Sequence, residues 1–160
     1  MGKIKLEIYW GFYLAFTFIL WMQIEKWLGF HSEKLFLQPI FSILISIPFS
    51  VLYYLALHLK KEKDYKKVIT FQQSFLSSLL ITGVFALFLP AALYFSLKYI
   101  SPDLIDNFVS ATIKTGKTTL EEAQSYYSFK SLLLMNYSSL LPIGIIIGYI
   151  VSKKNATKKK

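Results

Sequence analysis

Four stretches of this chain carry no Asp, Glu, Lys or Arg: residues 8–24, 35–59, 68–97 and 131–152, which is 17, 25, 30 and 22 residues. A helix rises about 1.5 Å per residue, so roughly 20 apolar residues cross about 30 Å of hydrocarbon. Three of the runs reach that length alone, and the first reaches it with its flanking residues. Bilayer interior offers the backbone no water, so runs of this kind fold as helices that satisfy their own amides. The eleven Leu, Ile and Val residues of the last run favour insertion by about −3 to −7 kcal/mol. The pattern predicts an all-α integral membrane protein, a four-helix bundle formed by one domain over 1–160. Its spans lie at about 8–28, 35–59, 69–99 and 131–152, with an external helical segment at about 102–130.

The polar residues fix an orientation. Hydrophobic residues make up 54% of the chain and mean hydropathy is +0.46, beyond an ordinary soluble domain. All 18 basic residues are lysines. Lys3 and Lys5, then Lys60, Lys61, Lys63, Lys66 and Lys67, then Lys153, Lys154, Lys158, Lys159 and Lys160 fall on one side of the bilayer, twelve in all. The other side has Lys26, Lys34, Lys98, Lys114, Lys117 and Lys130, matched by Glu25, Glu33, Asp103, Asp106, Glu121 and Glu122. The positive-inside rule makes the first side cytoplasmic, with both ends of the chain on it. Tyr9, Trp10, Tyr53, Tyr54 and Tyr149 near inner ends, and Trp21, Trp27, Tyr99, Tyr126 and Tyr127 near outer ones, read as interfacial anchors. The apolar N-terminal run ends in Trp21-Met22-Gln23 without an A-x-A-like site, so it reads as an uncleaved first span rather than a signal peptide.

Helices in lipid associate through close backbone approach and polar contacts. Small residues four apart occur in every span: Gly11 and Ala15; Ser42, Ser46 and Ser50; Ser74, Ser78, Thr82 and Ala86; Gly144, Gly148 and Ser152. These are the expected packing residues. Asn136 joins them, because an amide about five residues into the fourth span must find a partner, expected on another helix. Pro48 and Pro90 lie well inside spans, where each removes a backbone donor and should kink its helix as a structural feature.

Between Ser101 and Ser131 the chain turns polar. Ser101-Pro102-Asp103 reads as an N-cap, a first-turn proline and an acid, opening an amphipathic helix through Leu104, Ile105, Phe108, Ala111 and Thr112 that Gly116 ends. Thr118 with Glu121 reads as a capping box for a second helix that runs into the fourth span. Together they predict a lid that covers the bundle mouth or lies in the interface. The lysine-rich loop with Asp64-Tyr65, the Ile69-Thr70-Phe71 and Ser74-Phe75 opening of the third span, and Tyr99-Ile100-Ser101-Pro102-Asp103 before the excursion resemble the small bacterial membrane proteins of domain of unknown function 4199. Gln72-Gln73 stands where that pattern expects a glycine and an acid. The resemblance implies a four-span bundle in a bacterial cytoplasmic membrane and no activity.

Chemistry is sparse. Without cysteine there is no thiolate ligand, disulfide or cysteine nucleophile. Without arginine, bidentate recognition of phosphate or guanine is lost, so no nucleic-acid partner is expected. Thr115-Gly116-Lys117-Thr118 imitates the end of a phosphate loop, but Ala111 replaces the first glycine, so no nucleotide is expected. His31 and His58 fall at opposite faces and read as interfacial, with no shared metal. Glu7 and Glu25 flank the first span, Glu25 being expected to pair locally with Lys26 or to be solvated. No ionisable residue sits at the middle of a span, and no Ser-His pair is visible. The glycosylation patterns at Asn136 and Asn155 are chance matches, one in the membrane and one in the tail. The expected function is therefore a non-enzymatic structural or accessory membrane subunit, without cofactor or metal. Its expected partners are the bilayer and a second copy or another membrane protein. The alternative is a transporter or channel component made by oligomerisation.

Overall fold

The computed structural model describes residues 4–116 and 118–157. Lys3, Lys117, Lys158, Lys159 and Lys160 of the topology pattern lie outside the described residues. The fold is all-helical among those described: α1 (Lys5–Trp27), α2 (Leu35–Asp64), α3 (Phe71–Ile100), α4 (Leu104–Ile113), α5 (Leu120–Tyr126) and α6 (Phe129–Asn155). Three of these, α2, α3 and α6, are long and apolar enough to cross a membrane. Helix α1, with 23 residues, has the length, about 34 Å at 1.5 Å per residue. It is not among the three, because Tyr9, Trp10, Tyr13, Trp21 and Gln23 dilute its aliphatic content.

The long helices pack side by side. Helix α1 lies along α3 and α2, α3 lies along α6, and α6 returns along α2, so the order around the group is α1, α3, α6, α2. Leu14, Phe18, Phe49, Tyr53, Phe85, Leu89 and Leu93 fill the middle and are all buried. Phe49 and Phe85 meet edge to face with centroids 5.4 Å apart. The outward faces are apolar instead of charged, as with Ile8, Phe12, Phe16 and Leu20 on α1 and Leu87 on α3.

The two inner prolines act differently. Before Pro48, α2 tightens into a 3-10 turn over Ile43–Ile45; a proline ring displaces the carbonyl one turn earlier, and a tighter turn accommodates it. Helix α3 instead stays α-helical through Pro90. The carbonyl that Pro90 leaves without its usual donor is that of Ala86, and the Tyr137 hydroxyl of α6 donates to it at 2.9 Å. A neighbouring helix thus supplies the bond that the proline removed.

The excursion differs from expectation in three places. Helix α4 is capped at Asp103 and begins at Leu104, because the Ser101 hydroxyl, expected as its N-cap, is held elsewhere. The capping box of α5 is Thr119 with Glu122, one residue past the expected pair; the run Thr118-Thr119-Leu120-Glu121-Glu122 fits either frame. The backbone N–H of Thr119 donates to the Glu122 carboxylate and holds it below the ordinary carboxylate range. Helix α5 also stops at Tyr126, and Ser128 caps α6 separately by accepting from the Ser131 amide. Gly116, at φ +71°, makes the turn after α4, a conformation that suits a residue without Cβ.

Candidate functional site

The last turn of α1 ends in a left-handed Gly29, φ +82°, and the reversal there lets Phe30 and Lys34 amides cap Glu25 and Gly29 carbonyls. That tight connection folds His31 back beneath α1. His31 Nε2 lies 3.1 Å from Glu25 Oε2, and His31 Nδ1 lies 2.8 Å from Ser101 Oγ. All three side chains are buried. Ser101 arrives through a π-helical turn, Ser96–Ile100, that widens the end of α3 so that the Ser101 amide reaches the Ser96 carbonyl at 2.8 Å. Asn107 of α4 donates to the His31 carbonyl at 2.9 Å.

Glu25 is the hub. Its carboxylate accepts from Trp21 Nε1 at 2.9 Å, Gln38 Nε2 at 3.0 Å and Ser42 Oγ at 2.5 Å besides His31. Trp21 and Gln38 can only donate through these atoms. An ionised Glu25 can take a His31 Nε2 proton as a fourth donor, and where the imidazole is neutral that tautomer leaves Nδ1 to accept from the Ser101 hydroxyl. This reverses two expectations. Glu25 is neither solvated nor paired with Lys26, whose ammonium donates to the Ile100 carbonyl instead. His31 is buried within the fold, and a Ser-His-carboxylate chain does exist. Proximity in the fold joins residues that lie 70 positions apart, a juxtaposition that local spacing does not display. His58 by contrast is exposed and stacks on Tyr54.

Beside Glu25 lies a cleft of about 370 Å³. Phe18, Met22, Leu93 and Leu140 give it an apolar lining, and Phe108 of α4 and Tyr127, just after α5, stack at 4.9 Å and line it too. The excursion therefore contributes Leu104, Phe108, Tyr126 and Tyr127 to the lining at this end of the long helices. Glu25 of α1, Gln38 and Ser42 of α2, and Asn136 and Ser139 of α6 are among its polar lining. Asn136 Nδ2 donates to the Leu132 carbonyl of its own helix at 2.8 Å, not to another helix as expected; its side chain lines the cleft. Neither His31 nor Ser101 lines the cleft, so a molecule in it would meet the Glu25 end of the chain and not the Ser101 hydroxyl.

A second ionic cluster sits at the opposite end. Glu7, 1% exposed, pairs through Oε1 with Lys60 Nζ at 2.7 Å, and Lys60 also reaches Asp64 at 2.8 Å. Ser77 donates to the same Glu7 oxygen at 2.7 Å, so α1, α2 and α3 meet on one carboxylate. Asn155 of α6 joins α2 there, donating to the Leu57 carbonyl at 2.8 Å while its own carbonyl accepts from Lys61. No group of three or more His, Cys, Asp or Glu that could hold a metal is present among the described residues.

The small residues lie mostly between the two clusters. A Cβ on Gly11 would come within 2.6 Å of Val84 Cβ. One on Gly148 would come within 2.8 Å of Ser78 Cβ, and one on Gly144 within 3.2 Å of Thr82 Cγ2. Ser78, Thr82, Gly144 and Gly148 thus form one contact between α3 and α6. Thr82 donates to the Ser78 carbonyl, leaving its oxygen to accept from Tyr53 of α2 at 2.6 Å. Ala15 is buried on α1; Ser74 and Ser152 are fully buried and their hydroxyls make no hydrogen bond among the described residues. Ser46 and Ser50 form a bond within α2, Ser50 Oγ to the Ser46 carbonyl, and Ser42 belongs to the Glu25 cluster. Ala86 contributes the carbonyl that Tyr137 meets.

A model of one family, described as protein of unknown function (DUF4199), matches residues 9–153. The chain belongs to that family. The match takes in most of every long helix of this DUF4199 protein and both polar clusters except Glu7 and Asn155. No curated protein and no solved structure matches the chain.

Proposed function

We propose that this DUF4199 protein is a four-span protein of a bacterial cytoplasmic membrane, with both ends of the chain in the cytoplasm, that works without catalysis as a structural or accessory subunit. Glu7 and Glu25 lie 18 residues apart on α1, about 27 Å along a helix, close to the thickness of a hydrocarbon core. Each carboxylate then sits near one interface, where buried charge is least costly, and α1 spans between them. The observation that carries the functional reading is how these polar groups are used. Glu7 joins three helices, Glu25 joins α1 to the α1–α2 connection and to α2, and Tyr53, Thr82 and Tyr137 join α2, α3 and α6. All of this is internal scaffolding. The Ser101 hydroxyl is buried away from the cleft, and acyl transfer needs a reacting atom about 3 Å from the nucleophile.

The cleft favours a second reading, a transport component. Within one chain Phe49, Phe85 and the Tyr53–Thr82 pair close the interior between the cleft and Glu7, so a conduction path would have to run between copies. Crosslinking in native membranes, followed by purification in mild detergent, distinguishes the readings. A subunit role requires a stoichiometric membrane partner or a defined homo-oligomer that shows no ion flux in proteoliposomes. A lone monomer, or flux through the purified protein, contradicts it.

A further inference from the structure

We propose that the cleft beside Glu25 is a binding site for a single-chain amphiphile whose head group donates hydrogen bonds and carries no negative charge. The cleft lies in the size range of small-molecule sites, roughly 300–1,000 Å³, at its lower end with about 370 Å³. That suits one chain better than the two of a membrane diacyl lipid. Its depth is aliphatic and aromatic, the surroundings that an alkyl chain requires.

The polar end sets the head group. The lining contains one carboxylate, two amides, the four hydroxyls of Ser42, Ser139, Tyr126 and Tyr127, the Trp21 indole, and no lysine. Glu25 is already met by four donors, and Gln38 uses both amide protons, on Glu25 and on Ser42. Asn136 uses its amide nitrogen on Leu132. The amide oxygens of Gln38 and Asn136 accept no hydrogen bond among the described residues, and the Tyr126 and Tyr127 hydroxyls of the lining can donate or accept. Acceptors beside a buried carboxylate fit an ammonium or a hydroxyl. A carboxylate or phosphate could meet the tyrosine hydroxyls but would also meet the like charge of Glu25, with no cation in the lining to offset it. Lys26, the nearest lysine in sequence, is engaged with the Ile100 carbonyl.

Trp21 lines the cleft and serves as the reporter. The full chain carrying Trp10→Phe and Trp27→Phe, in nanodiscs of dioleoylphosphatidylcholine, is titrated with 11-bromoundecylamine, 11-bromoundecanol or 11-bromoundecanoate, whose bromine quenches indole. The amine and the alcohol should quench Trp21 saturably, with at least tenfold higher apparent affinity than the acid, and dodecylamine without bromine should reverse it. Asn136→Leu should lower the amine affinity about tenfold, and Ser139→Phe, which fills the cleft from its exposed rim, should leave only linear quenching. Unchanged Trp21 emission without probe shows that each variant is folded, and either variant alone suffices for the comparison. Equal quenching by the acid overturns the head-group assignment. Linear quenching by all three probes, or saturable quenching that survives both variants, overturns the site.

Discussion

Tyr137 and Pro90 should be energetically coupled, although they lie on different helices and are 47 positions apart. Pro90 has no N–H to offer the Ala86 carbonyl, and the Tyr137 hydroxyl replaces it at 2.9 Å. Tyr137→Phe keeps the ring and deletes the donor, so the carbonyl is left unmet in a partly buried position. Interhelical hydrogen bonds in membranes average about 0.6 kcal/mol and reach about 1.7, while an orphaned buried acceptor costs about 1–3 kcal/mol. The expected loss is about 1 kcal/mol. In a Pro90→Ala background the residue at 90 regains its N–H, α3 meets its own carbonyl, and Tyr137→Phe should cost close to nothing. The coupling from the double-mutant cycle is then about 1 kcal/mol, above the roughly 0.3–0.5 kcal/mol within which independent sites add. Reversible unfolding in mixed dodecylmaltoside and SDS micelles, followed by circular dichroism, measures it. Equal costs of Tyr137→Phe in both backgrounds would refute the idea that Tyr137 compensates for the proline.

The glycines should separate by what faces them. Gly148→Ala and Gly11→Ala push a methyl into Ser78 and Val84 and should each lower stability by about 1–3 kcal/mol, whereas Gly83→Ala meets nothing within 4 Å and should be neutral or slightly stabilising, as helix propensity favours Ala; the same melts rank them. Replacing Gly144 or Gly148 by Leu should destabilise more than Ile146→Leu, since Ile146 is exposed, and identical melts would place α6 with that face toward lipid. At the Glu7 end, Lys60→Met alone leaves a buried carboxylate without its cation and should cost about 3–5 kcal/mol, while Glu7→Leu combined with Lys60→Met should recover much of that loss. A double variant as unstable as the single would show that Asp64, the other acid on Lys60, dominates the cluster.

Much of the fold was legible because bilayer length and charge exclusion act on long windows. Residues 35–59, 68–97 and 131–152 announce α2, α3 and α6, and Gly116 and the capping residues of the excursion mark its turns to within a residue or two. Helix α1 announces itself less clearly, because aromatic rings occupy positions where aliphatic side chains would raise hydropathy. The candidate site was not legible. Glu25 beside Lys26 looks like a local surface pair, and the reversal at Gly29 is what brings His31 back to its carboxylate. Glu7 presents the same difficulty, since its partner Lys60 belongs to a lysine run that topology alone explains. One cue was available: both acids sit on the helix face of the small residues Gly11 and Ala15, at steps of three or four from Glu7 through Gly11, Leu14 and Phe18 to Met22 and Glu25, all of them buried. Asn136 misled for the opposite reason. An amide in a span can satisfy one donor on its own preceding turn, so its presence does not require a neighbouring helix.

The central claim is that α1 crosses the membrane with the other three, placing both ends of the chain in the cytoplasm. The absence of native cysteine makes single-cysteine labelling clean. Ile4→Cys, Ser32→Cys, Lys63→Cys and Thr115→Cys are each expressed in intact cells and treated with a membrane-impermeant maleimide before or after permeabilisation. Four spans predict that Ser32→Cys and Thr115→Cys react from outside, while Ile4→Cys and Lys63→Cys react only after permeabilisation. If Ile4→Cys and Ser32→Cys instead react from the same side, α1 does not span, and the account of Glu7 and Glu25 as carboxylates at opposite interfaces fails with it.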